Sequence, residues 1–146
     1  MLKSFITGNR APQDTALIYE NDLPGDKASL FALSEFALLD ISVGLETAGT
    51  ENVLRELLLC LVNQALAPDV AKMQAAYTEN NWDKVQQLAH KIKGGAVYVG
   101  TIRLKMACLY LERYWKTGQT ELLMQLYQQA LTVIQDTIIE VTAWLK

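Results

Sequence analysis

The chain has 146 residues, 51% of them apolar and 20% charged, with a formal net charge of −3. A chain of that length buries roughly 70% of its unfolded surface in one core, which excludes global disorder and any need for covalent staples. Two cysteines (Cys60 and Cys108) exclude a disulfide framework, the single histidine His90 excludes a multi-histidine metal centre, and the acidic balance gives no overall pull toward nucleic acid or anionic membrane.

Residues 1–27 carry two of the three prolines, Pro12 and Pro24, with Gly8, Gly25, Asn9, Asn21 and several aspartates. They read as an irregular lead-in or linker, and residues 28–146 as one domain. The first nine residues lack the apolar core of a secretion signal, and apolar runs such as Leu57–Val62 fall far short of the ~20 residues of a spanning helix. A cytoplasmic location is the simplest expectation.

A short helix is predicted over Lys27–Leu39, and a further turn or two over Ile41–Thr47. The next helix begins near Glu51 with Thr50 as its N-cap, and Leu54, Leu57, Leu58, Leu61 and Ala65 follow at helical spacing. Pro68 is expected to kink or interrupt it before Val70, Met73 and Tyr77 resume the stripe. After a polar turn over Thr78–Asn81, a third helix runs from Trp82 to about Val99 and a fourth from Thr101 to Lys116. The last runs from Thr120 to the end, with Leu123, Leu126, Tyr127, Ala130, Val133, Ile134, Thr137, Val141 and Trp144 on one face. Both cysteines lie among apolar helical neighbours and are expected to fill the core. Short loops between long amphipathic helices favour antiparallel neighbours. The predicted fold is all-α, an antiparallel four-helix bundle with an extra N-terminal helical segment and no strand.

The sharpest local feature is Ala89-His90-Lys91-Ile92-Lys93-Gly94-Gly95-Ala96. A lone helical histidine is often a filler, and helical geometry tests the core version of that reading. At about 100° per residue, Val85, Leu88, Ala89, Ile92, Ala96 and Val99 share a face centred near Ile92, and His90 stands roughly 160° away from it. It is not a core histidine. Gln86, Lys93, Gly94 and Val97 share its side.

Gly94 and Gly95 each cost a helix about 1 kcal/mol relative to alanine. Side chains on a helix lean toward its N-terminus, so a large residue at position 94 would lie over the His90 ring. Glycine leaves the imidazole open to another molecule. Lys93 leans back the same way and brings an ammonium beside the ring, although a lysine taken alone is equally a solvated surface residue. An uncovered imidazole with a flanking cation suits a nucleophile that accepts a phosphoryl group.

The segment Trp82–Lys105 holds Lys84, Lys91, Lys93, Arg103 and Lys105 against the single anion Asp83, a net +4 within an acidic chain. Such a patch either steers a partner with an acidic site or simply solvates the helices. Val97 and Tyr98 lie off the core face and offer apolar contact. The candidate docking residues are therefore Gln86, Lys91, Val97, Tyr98, Arg103 and Lys105.

The run Ala89-His90-x-Ile92-Lys93-Gly94-Gly95-Ala96 resembles the signature of histidine-containing phosphotransfer (HPt) domains. Gly100, Leu104, Cys108 and the pair Leu111-Glu112 resemble that family's following helix, and the stretch through Pro68 to Asn81-Trp82 its preceding one. The likeness extends over about Leu39 to Trp144. It departs at Lys91, where the family often has a small hydroxyl residue, and at Gly95, which replaces a frequent serine. The resemblance implies a bundle in which His90 carries phosphate between aspartates of two response-regulator receiver domains, with Lys93 and Gly94 in support. It implies that the receiver brings the Mg²⁺, so that this chain needs no cofactor or metal of its own, and that a hybrid histidine kinase is a possible source of the phosphoryl group. It also places Glu112 where the family hydrogen-bonds the histidine's Nδ1. The helical wheel puts Glu112 about 80° from its helix's core centre, which equally fits a surface carboxylate paired with Lys116 at i+4.

No glycine-rich phosphate loop or nucleophile elbow is present, which argues against an autonomous kinase or hydrolase. Two other readings stand beside phosphotransfer. One is a helical module that docks a receiver without carrying phosphate; the other is a metal- or haem-binding bundle, for which an outward-facing single histidine is a poor start.

Overall fold

The computed structural model describes residues 23–146, so the expected lead-in over 1–27 lies mostly outside the described residues. The chain divides after Leu30 into an N-terminal unit and a helical unit, Phe31–Lys146. In the first, Lys27–Leu30 form a single helical turn. In the second, a 3₁₀ turn at Leu33–Glu35 precedes α1 (Ile41–Ala48), α2 (Glu51–Cys60), α3 (Leu66–Thr78), α4 (Trp82–Ala96), α5 (Ile102–Lys116) and α6 (Leu123–Leu145). Among the described residues there is no strand.

The helix expected over Lys27–Leu39 is not continuous, because the backbone beyond Leu33 bonds elsewhere. Arg103 takes it: its N–H donates to the Ala37 carbonyl, and its guanidinium Nε and Nη2 donate to the carbonyls of Phe36 and Ser34. Those carbonyls meet the opening turn of α5 instead of extending a helix of their own.

Caps begin the other helices where side-chain chemistry allows. Asp40 accepts from the Val43 N–H at the start of α1, Thr50 from Val53 at α2 and Asn81 from Lys84 at α4. Each satisfies one orphan donor and stabilises its helix by about 1 kcal/mol. The end of α4 falls at Ala96 rather than Val99, because Gly100 turns the chain with φ +81°. A Cβ at that position would collide with the Asp40 carbonyl, and the Gly100 carbonyl accepts from the Asp40 N–H at 2.8 Å. Only glycine fits there.

Pro68 does not interrupt its helix. A π-helical turn, Leu61–Ala65, joins α2 to α3, and the Leu66 N–H donates to the carbonyl of Leu61, five residues back. The wide turn lies immediately before Pro68, whose ring has no N–H and crowds the carbonyl four residues back, inside that turn at Gln64. The extra residue slips the buried stripe. Leu54, Leu58 and Leu61 are buried, and the next buried positions are Leu66, Asp69, Met73 and Ala76. Ala65, expected in the stripe, is exposed in consequence; Leu57, also expected there, and Cys60, which does not fill the core, lie on α2 before the wide turn and are exposed as well.

The helices α2–α3, α4, α5 and α6 form the four-helix bundle, with α4 packed on α3 and α5, and α5 on α6. The predicted α4 face is buried throughout, from Val85 to Val99, and it meets Leu104, Ala107, Cys108 and Leu111 of α5 in the core. Every residue of the predicted α6 face is buried except Trp144, whose ring sits under the Arg55 guanidinium at 4.6 Å. At the α3–α4 turn, Tyr77 stacks on Tyr127 at 4.1 Å and Trp82 stands edge-on to both. Aromatic pairs of this kind each add roughly 0.5–1.5 kcal/mol beyond the area they bury.

Candidate functional site

His90 projects from the middle of α4 with 63% of its side chain exposed, and its Nδ1 lies 2.8 Å from Oε2 of Glu112 on α5. Glu112 itself is only 3% exposed. Its Oε1 accepts from Lys93 Nζ and its Oε2 also from Lys116 Nζ, both at 2.8 Å. One buried carboxylate therefore gathers an imidazole and two ammonium groups.

The protonation pattern follows. Burial works to raise the Glu112 pKa, but hydrogen bonds from Lys116 and Lys93, the Lys93 charge and the His90 bond outweigh it and hold the carboxyl down at about 2. Glu112 is thus an acceptor only, so a neutral His90 must carry its proton on Nδ1. The Nε2 lone pair is left free, and among the described residues no protein group hydrogen-bonds it. The ring is oriented by a buried group and reactive at its exposed edge.

Nothing stands over that edge at the next turn. A Cβ built on Gly94 meets no atom within 4 Å, and the same holds for Gly95. Lys93 is half-buried, and its ammonium is drawn onto Glu112 rather than lying free beside the ring. With Glu112 ionised and both lysines protonated, the cluster carries a net single positive charge when the ring is neutral.

The six residues expected at a docking face separate into two groups. Tyr98 is 59% exposed, Val97 and Lys105 are half-buried, and Lys84 and Lys105 pair with no carboxylate among the described residues. Gln86 is instead buried, with Nε2 donating to Asp83 Oδ1 and Oε1 unpartnered, so it offers nothing to an incoming surface. Packing against the neighbouring helices extends α4's buried face beyond the apolar stripe. Lys91 reaches back to the buried Asp69 of α3 at 2.9 Å, and the Arg103 guanidinium is held by backbone carbonyls.

Two contributors were not legible as part of the site. Lys116 was visible only as an i+4 partner of Glu112. Asp69 gave no signal, because the stripe expected after Pro68 follows the apolar residues Val70, Met73 and Tyr77, whereas the buried positions of α3 are Leu66, Asp69, Met73 and Ala76.

An all-helical bundle with an outward imidazole tied to a carboxylate on the next helix defines a phosphotransfer class of domain. A family model described as Hpt domain matches residues 57–144, well over half of the chain, and the chain belongs to this family. Comparison with curated proteins and with solved structures gave no match. Hpt domains serve histidine phosphotransfer in two-component systems, interact with response-regulator receiver domains and are not autonomous kinases. Among the described residues no helix is long and apolar enough to cross a membrane.

Proposed function

We propose that His90 is the phosphoacceptor and that the chain relays a phosphoryl group between aspartates of two receiver domains in the cytoplasm. The observation that carries this reading is the pairing of an exposed Nε2 with an Nδ1 committed to buried Glu112.

In the forward step the Nε2 lone pair attacks the phosphorus of a docked phosphoaspartate in line. The new N–P bond forms as the acyl P–O bond breaks, and the aspartate leaves as a carboxylate. The proton stays on Nδ1, so the ring becomes cationic as the bond forms, and the Glu112 carboxylate balances that charge. Lys93 and Lys116 supply positive charge for the phosphoryl oxygens, and Gly94 leaves room for approach. The reverse step delivers the group to the second receiver. Mg²⁺ would be held by the receiver's own residues; among the described residues of this chain no cluster of His, Cys, Asp or Glu could hold a metal ion.

The test is incubation of the full chain with a phosphorylated receiver, followed by acid and alkali treatment of any label. An acid-labile, alkali-stable label that His90→Gln abolishes, with helicity unchanged, is expected. Undiminished labelling of that variant refutes the assignment, and an unlabelled wild-type chain that still binds the receiver makes it a docking module.

A further inference from the structure

An apolar groove of ≈ 250 Å³ runs between α3 and α6. Val62 of the π-turn, Leu66, Val70 and Ala71 form one wall, and Ile134 and Ile138 the other. The groove continues as a stripe along α6. Met124, Gln128, Leu131, Gln135, Ile138 and Thr142 follow one another in alternating steps of four and three, the heptad spacing by which a helix presents one seam to a second helix. At about 100° per residue this seam lies about 110° from the core face of α6. All of its residues are exposed or half-exposed, so it is no part of the bundle's own core.

No charge enters this face. The charged residues of α6 are Asp136 and Glu140, turned about 120° and about 160° from the seam. On α3, Lys72 stands about 170° from the groove, and Asp69 is buried and paired with Lys91. A solvated surface carries roughly a quarter to a third charged residues, and depletion of charge is the compositional mark of a contact surface. Met124 is 49% exposed and the neighbouring Ile139 68%, so both hold apolar surface in water until something covers them.

We infer that the occupant is a second copy of the chain, with α3 and α6 of one molecule packing on the same two helices of the other about a two-fold axis. Such a contact is self-complementary, so a seam residue near the axis meets its own counterpart. A charge there would repel its copy, and the seam has none. Glutamine suits these positions, because its amide both donates and accepts and so pairs with another glutamine. Size agrees as well. From Met124 to Thr142 the seam is about 27 Å long, and two helices side by side are about 20 Å wide. Each copy then buries roughly 500 Å², about 1,000 Å² in total, which is the lower bound of a specific interface and fits a dimer of modest affinity. The groove uses α3 and α6, whereas the His90–Glu112 pair uses α4 and α5, so no helix of that site takes part in the contact. The inference is independent of the role of His90.

The experiment is sedimentation equilibrium of the full chain between about 1 and about 100 μM, the range in which an interface of this size dissociates. Wild type is expected to pass from monomer to dimer across it. Gln135→Glu and Gln135→Lys, at an exposed position, are each expected to weaken the dimer by about tenfold or more, and an equimolar mixture of the two to restore it. Ile138→Asp is expected to remain monomeric with its helicity unchanged by circular dichroism. A wild type still monomeric at about 100 μM overturns the inference and leaves the face to another molecule. A dimer that both Gln135 variants retain undiminished overturns it too, because the contact then lies elsewhere. Weakened variants that fail to restore each other exclude the two-fold pairing.

Discussion

His90 Nδ1 and Glu112 Oε2 lie 2.8 Å apart, although the two residues sit on different helices and the carboxylate is buried while the ring is not. The pair is the hinge between the fold and the proposed chemistry. Packing of α4 on α5 buries Glu112, and the buried anion in turn sets the tautomer, holds the ring and draws in Lys93 and Lys116.

Replacing Glu112 by Gln removes the feature that specifies the tautomer, since an amide can either accept from Nδ1 or donate to it. Phosphoryl transfer to Glu112→Gln is expected to fall by about tenfold or more, the usual cost of losing such an orienting partner. Nitrogen NMR of the ring should show a mixture of tautomers where wild type shows Nδ1–H. A single unchanged tautomer with normal transfer rates contradicts the proposed role.

Acid stability follows from the same carboxylate. Its folded-state pKa of about 2 lies below the ordinary 4.5, so the stability it contributes is complete above about 4.5 and is lost as the pH falls toward 2. Chemical denaturation across that interval should show wild type losing stability more steeply than Glu112→Gln. Parallel curves for the two proteins exclude the linkage.

Gly94→Leu tests access to the ring. The open space around position 94 means the side chain fits without strain, and helix propensity favours leucine by about 1 kcal/mol. The variant should fold at least as stably as wild type, by thermal or urea melts, while transfer from a receiver slows severely. Transfer at the wild-type rate removes the steric reason for the glycine.

Lys91 and Asp69 form a pair of unequal exposure, the lysine 64% exposed and the carboxylate 6%. Lys91→Ala leaves a buried charge unpaired and should cost about 1–3 kcal/mol. Adding Asp69→Ala removes that charge, so the double variant should recover part of the loss. Urea melts of the two variants decide it, and simple additivity of two losses counts against a buried anion that depends on Lys91.

Much of the architecture follows from local periodicity. The stripe from Leu123 to Val141, the α4 face from Val85 to Val99 and the outward direction of His90 all depend on one helix at a time, with 100° per residue as the only rule. The open space at Gly94 is local in the same sense, because a side chain's lean is set by its own helix. Where the backbone departs from that rule, sequence periodicity loses its footing. The π-turn before Pro68 inserts one extra residue, so Ala65 faces out and Leu66 takes its place in the buried stripe.

The amino-acid sequence by itself determined a helical bundle and a histidine turned from its core, because both are properties of spacing along a single chain segment. Only the tertiary structure decided that Glu112 is buried, that Lys93 and Lys116 converge on it, and that Arg103 is occupied by the backbone near Phe36. These depend on how far each helix rotates about its axis against its neighbour, and no single segment carries that information.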